Sequence, residues 1–314
     1  MRGPLRLAKI DGMSNPGDTV GRPPRPGWLS SLGRLSLVRL LVFFVVLLAG
    51  DIVAQLGRHW VIRHAPTGDV DWMSIGAAVV LAAALLGLYV ALVRSIEQRG
   101  VHELAPRAIQ GAAGIILGVA LFSGVFGLLY LIGVVHWQGI SARFDVALVV
   151  LAASILAAVG EELAFRGALF RILEERSGTT IALLISAAVF GLLHALNPGA
   201  TVVSTVAIAL EAGILLGAAY ALTRNLWFPI GLHLGWNFTE GGIFGVSVSG
   251  GPAVKGVFSV SLAGRTLLTG GKFGPEASVV AIAVCLSAAV VLLVLTVRNG
   301  HWMSMRGTSR QSNA

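Results

Sequence analysis

Val146-Ala-Leu-Val-Val-Leu-Ala-Ala-Ser-Ile-Leu-Ala-Ala-Val-Gly160 contains no charged residue, and it leads directly into Glu161-Glu162-Leu-Ala-Phe-Arg166. A segment this apolar is long enough to enter a bilayer, and nothing in it breaks a helix between Asp145 and Glu175. The two carboxylates and the guanidinium therefore fall inside a membrane helix, where ionisable groups are costly and signal function. Glu162 and Arg166 are four residues apart and share a face, so they can pair, whereas Glu161 points about 100° away and is left for chemistry. A carboxylate in a low-dielectric setting suits a general base or acid.

The rest of the chain fits this reading. Of its 314 residues 55% are hydrophobic and 12% charged, more apolar surface than a water-soluble domain of this length buries. Eight segments have the length and apolarity of a span: about 36 to 56, 74 to 93, 108 to 135, 146 to 172, 179 to 195, 202 to 222, 226 to 246 and 278 to 297. Their backbones must bond internally, so the expected fold is all-α: a polytopic bundle of about eight transmembrane helices. The fifth run is short and ends at Asn197-Pro198-Gly199, so it can stop within the bilayer. With the N-terminus in the cytoplasm, seventeen of the 23 Lys and Arg lie on that side, which places both termini there.

The expected organisation is a basic tail over residues 1–35 and a membrane domain over 36–298, with its functional core at about 145–245. A C-terminal tail follows over 299–314. The connection 247–277, rich in Gly and Ser, reads as turns packed on the membrane domain. The net charge of +8 comes from basic residues between apolar runs, with no basic patch carrying interleaved aromatics, so nucleic acid is not an expected partner. The single cysteine, Cys285, lies in the last apolar run and permits neither an intramolecular disulfide nor a Cys metal cluster. No convincing small-residue cleavage site follows the first apolar run, which therefore reads as a retained helix.

The ionisable residues read within spans are Asp51, Glu161, Glu162, Arg166, His194, Glu211 and His233. Beyond the first pattern, Phe190-Gly-Leu-Leu-His194 sets a ring and an imidazole on one helix face, and His233-Leu-Gly-Trp-Asn237 sets two hydrogen-bonding side chains on another. Read alone, His194 is as compatible with a satisfied core histidine. His233 and Asn237 suit either an oxyanion site or an interhelical polar clamp. At 1.5 Å per residue, Glu161, His194, His233 and Asn237 lie about 17, 20, 9 and 15 Å from the cytoplasmic boundary, so they can meet near mid-bilayer. Asp51 and Glu211 lack such patterns and are expected to be structural contacts.

Together the three patterns resemble the CPBP intramembrane endopeptidases, a family that includes type II CAAX prenyl proteases and the Abi group of bacteriocin-processing or immunity proteins. Glu161-Glu162 with Arg166, Phe190 with His194, and His233 with Asn237 match its motifs in order, and the resemblance covers about residues 145–245. It implies an endopeptidase in which Glu161 and His194 activate water while His233 and Asn237 hold the tetrahedral oxyanion. Glu162 and Arg166 would support Glu161. It further implies a peptide or membrane-protein substrate, with a prenyl group as one option, and a bacterial inner-membrane location.

No cofactor is expected under this reading. The rival is a zinc protease using the same Glu and His residues. It lacks HExxH-type ligand spacing, and neither histidine has an evident acidic partner in sequence. A two-Asp enzyme does not fit, because Asp51 is the only Asp in a span, and Ser247 and Ser249 sit outside a helix start. A non-enzymatic scaffold or immunity protein would keep the same polar cluster for packing alone.

Overall fold

A computed structural model describes residues 36–66 and 68–305. The N-terminal tail expected over residues 1–35, and residues 306–314 of the C-terminal one, lie outside that range. The described chain is an all-α bundle. Helix α1 is Ser36–His64, α2 is Val70–Glu97 and α3 is Ala108–Leu131. Helix α4 covers residues 144–177 and α5 residues 179–194, joined at Gly178, whose φ of 75° breaks the run. Helix α6 is Val202–Thr223, α7 covers residues 227–243, and α8 is Val279–Arg298. By length and composition α1, α2, α3, α6, α8 and the α4–α5 run are apolar enough to cross a membrane. Their outer faces carry exposed apolar side chains such as Val80, Ile116 and Val291, and an apolar belt of this kind needs lipid around it.

Gly178 could not be another residue without moving the chain, since a Cβ there would lie 2.7 Å from the Met303 carbonyl oxygen. Residues read as the start of a C-terminal tail dock at that break, where Thr179 and Met303 exchange two hydrogen bonds of 2.9 Å.

Close glycine contacts set the position of α7. Gly114 and Gly118 on α3 face Gly231 and Gly235 on α7, each pair spaced by four residues. A Cβ on Gly114 would lie 2.2 Å from the Phe228 carbonyl oxygen, and one on Gly231 would lie 2.2 Å from that of Gly111. Backbone therefore lies on backbone, the close crossing that small residues permit where burial of apolar surface from water gives no drive. His233 and Asn237 ride on the helix held this way.

Four acidic stretches coincide with widened, π-helical turns: Val93–Glu97 ending in Glu97, Leu163–Phe170 just after Glu161-Glu162, Ala209–Gly213 around Glu211, and Phe238–Ile243 around Glu240. Such turns are rare in helices and concentrate at functional sites. Sequence periodicity does not reveal them.

Where helices α1, α2 and α4 end on one face, an ion network ties them together. Arg171 bonds to Glu97 at 2.8 Å and Glu175 at 3.1 Å, and Arg39 bonds to the same two carboxylates. Arg99 and the Tyr89 hydroxyl both donate to Glu103. Burial alone would push the Glu103 carboxyl up, but these two donors outweigh it and bring its pKa to about 2. On the opposite side a short antiparallel pair forms, β1 (Val135–Ile140) with β2 (Phe258–Leu262), and a bulge falls between Trp137 and Gly139. Residue 135 was read as the end of the third span and 258–262 as part of a turn-rich connection, so this pair is a correction. Alternating Val-His-Trp-Gln is too short a pattern to separate from a helix end.

Candidate active site

Glu161 and Glu162 take the two environments that their spacing predicts. Glu162 and Arg166 are fully enclosed and pair at 2.9 Å, while the Glu161 side chain remains 22% exposed. Arg166 completes its bonding through the widened turn of α6, donating to the carbonyls of Gly213 at 3.1 Å and Ala212 at 3.3 Å. Its guanidinium carbon lies 4.9 Å from the centre of the Phe190 ring. A buried charge is tolerated only with partners of this kind.

Phe190 also fixes His194. The Phe190 carbonyl accepts from His194 Nδ1 at 2.8 Å, and the two rings lie 4.4 Å apart. Because a carbonyl only accepts, Nδ1 carries the proton, and a neutral His194 presents Nε2 as an acceptor. That atom lies 4.0 Å from Glu161 Oε2, which has no hydrogen-bond partner of its own among the described residues. The gap is too long for a direct bond but spans two acceptors of one water molecule: two bonds of about 2.8 Å meeting at about 90° cover it.

His233 Nδ1 lies 3.1 Å from the same Glu162 oxygen that pairs with Arg166. With Glu162 ionised against Arg166, the imidazole donates through Nδ1. Its Nε2 can then donate to a substrate oxygen only when the ring holds both protons. Glu162 thus holds His233, a contact that bridges α4 and α7 and that helical spacing within one segment cannot reveal. It also gives His233 an acidic partner, which corrects the argument from sequence that neither histidine has one. Asn237, one turn further along α7, makes no side-chain hydrogen bond among the described residues and is 9% exposed.

His194, His233 and Asn237 line a single cavity of about 20 Å³, enough for a water-sized group. Glu211, Glu276 and Ser249 share its wall. Glu211, expected to be a structural contact, lies on the wall of this same cavity. Asp51 is also close, since its Oδ1 lies 2.1 Å from where a Cβ on Gly160 would stand and has no partner among the described residues. Glu240 was missed in the sequence reading although it lies within the 226–246 segment. Glu276 was read as part of a connection, and only the fold brings it inward.

Zinc would need a convergent ligand set. Among the described residues no three of His, Cys, Asp and Glu form a group that could hold a metal ion.

Residues 143–239 match the family model described as Type II CAAX prenyl endopeptidase Rce1-like. Over this segment, less than half of its length, the chain is similar to that family. The matched segment contains all seven motif residues from Glu161 to Asn237 and ends before Glu240. Searches for similarity returned no curated protein and no solved structure matching the chain.

Proposed function

We propose that the protein is a glutamate-dependent intramembrane endopeptidase that hydrolyses a peptide bond without a metal. Glu161 takes a proton from a water held between its carboxylate and His194 Nε2, and the oxygen attacks the scissile carbonyl. His233, in its doubly protonated form, and Asn237 donate to the oxyanion that develops. Arg166 and Glu162 act behind these groups: the pair fixes His233, and the Phe190 ring over Arg166 fixes the turn that carries His194. The 4.0 Å separation of Glu161 Oε2 from His194 Nε2 carries the proposal, because both atoms are otherwise free to accept. The substrate is a peptide or membrane protein, prenylated or not, met in the inner membrane of a bacterial cell by an enzyme with both termini in the cytoplasm.

The test is cleavage of a fluorogenic peptide library, with and without a prenyl group, by detergent-purified protein in the presence and absence of a chelator. Cleavage that survives chelation is the expected result. Activity lost to chelator and restored by zinc would replace the glutamate mechanism, and a complete lack of cleavage would favour the scaffold reading.

A further inference from the structure

Ser249 lines the catalytic cavity with His194, His233 and Asn237, yet the mechanism gives it no part. Its backbone sits in the left-handed region, at a φ of 48°, which a residue with a Cβ adopts only at a cost. Such a conformation persists where the surroundings over-determine it, and here three loops do so. From the loop after α5, the Asn197 side-chain amide donates to the Ser249 carbonyl at 2.7 Å. From the turn before α8, the Glu276 carboxylate accepts from the Ser249 N–H. The next residue is pinned as well. Gly250 donates its N–H to the Phe273 carbonyl at 2.7 Å, and its own carbonyl accepts from the Gly199 N–H at 3.1 Å.

Both backbone groups of Ser249 are therefore taken, and what it has left to offer is its hydroxyl. The Glu276 carboxylate also lies within reach of that hydroxyl and, having no proton to give when ionised, takes the O–H as a donor. The lone pairs of Oγ remain. Glu211 and Glu276 on the same wall are each 1% exposed, whereas Ser249 is partly exposed and can be reached.

The site described so far supplies donors for the scissile carbonyl, from His233 and Asn237, and acceptors for the attacking water, from Glu161 and His194. It supplies nothing for the peptide N–H groups that enter with the substrate, and an N–H taken out of water without an acceptor is costly. We infer that Ser249 is a substrate-binding residue whose Oγ accepts the backbone N–H of a residue beside the scissile bond. Asn197 and Glu276 are its positioning residues. The inference rests on the protease reading and adds to it how an extended peptide is held in register with the catalytic groups.

The first test needs no turnover. Fluorescent peptides are titrated against the Glu161→Gln protein, with and without Ser249→Gly, and binding is followed by anisotropy. The tightest binder is then remade with each backbone amide replaced in turn by an ester, which removes one N–H. At one position the ester should weaken binding about fivefold or more where Ser249 is present, and by nothing further in Ser249→Gly. Ester effects that are the same in both proteins, no sensitive position, or no binding of any peptide overturn the inference.

The second test separates binding from folding. Glycine adopts a φ of 48° freely, so Ser249→Gly should unfold at or slightly above the wild-type temperature. Its kcat/KM should nevertheless fall about fivefold or more. A purely structural serine predicts the opposite, and a Ser249→Gly enzyme with wild-type kcat/KM overturns the inference while leaving the protease standing. If wild type cuts no peptide, the protease reading fails and the ester titration still decides the role of Ser249.

Discussion

Replacing Gly118 by alanine adds one methyl group to α3 at the point where α7 lies closest. The new Cβ would stand 2.2 Å from the Leu232 carbonyl oxygen and 2.7 Å from the Trp236 amide nitrogen. A carbon and a carbonyl oxygen settle at about 3.3 Å, so the helices must separate by about 1 Å. Sliding does not relieve the clash, because Gly114, Gly231 and Gly235 make equally short approaches along the same seam. Overpacking of this kind costs about 1–3 kcal/mol of stability. The larger effect is on the reaction, since the displaced helix carries His233 and Asn237, and a 1 Å error in donor position costs about a hundredfold in rate.

Gly124→Ala on the same helix is the control, because nothing lies within 4 Å of its Cβ and the change should be neutral or slightly stabilising. The assay pairs thermal unfolding with kcat on a cleavable peptide. If Gly118→Ala melts and turns over like Gly124→Ala, the claim that the glycine seam sets the height of the oxyanion donors is refuted.

Three further outcomes follow from the geometry. Arg166→Ala leaves buried Glu162 with His233 as its one remaining partner, so it should lose about 3–5 kcal/mol in thermal or denaturant unfolding, and adding Glu162→Gln should recover part of that loss. Asn237→Ala should lower kcat by about a hundredfold or more with little change in KM, as expected for a donor used only in the transition state, and steady-state kinetics would show it. Glu103 has a folded pKa of about 2 against an ordinary 4.5, so its contribution to stability is fully present above 4.5 and is lost as the pH falls toward 2. Unfolding measured across that range should show a shallower acid decline in Glu103→Gln.

The residues most legible from sequence were those whose chemistry repeats along one helix. Glu162 with Arg166, Phe190 with His194, and His233 with Asn237 sit at i, i+4, and helical rise placed them at similar depth before any fold was known. Contacts between helices were not legible in this way. The bond from His233 to Glu162 joins residues 71 apart. The approach of Asp51 to Gly160 joins α1 to α4, and Glu276 reaches the cavity that Glu211 lines only once the 247–277 connection has folded back. Glycines were equally silent. Gly118 and Gly124 read alike in sequence, yet one lies on a backbone and the other on open space. The bundle itself was readable because membrane solvation dictates helix length and apolarity, whereas the β1–β2 pair lies where that constraint ends.

The most direct test of the central claim is turnover by Glu161→Gln under conditions where wild type cleaves a peptide. The amide keeps the size and position of the carboxylate beside His194 but cannot accept a proton from water. The account predicts no cleavage above background, with an unfolding temperature close to wild type. A folded Glu161→Gln protein that cleaves at the wild-type rate would contradict it and remove Glu161 as the base.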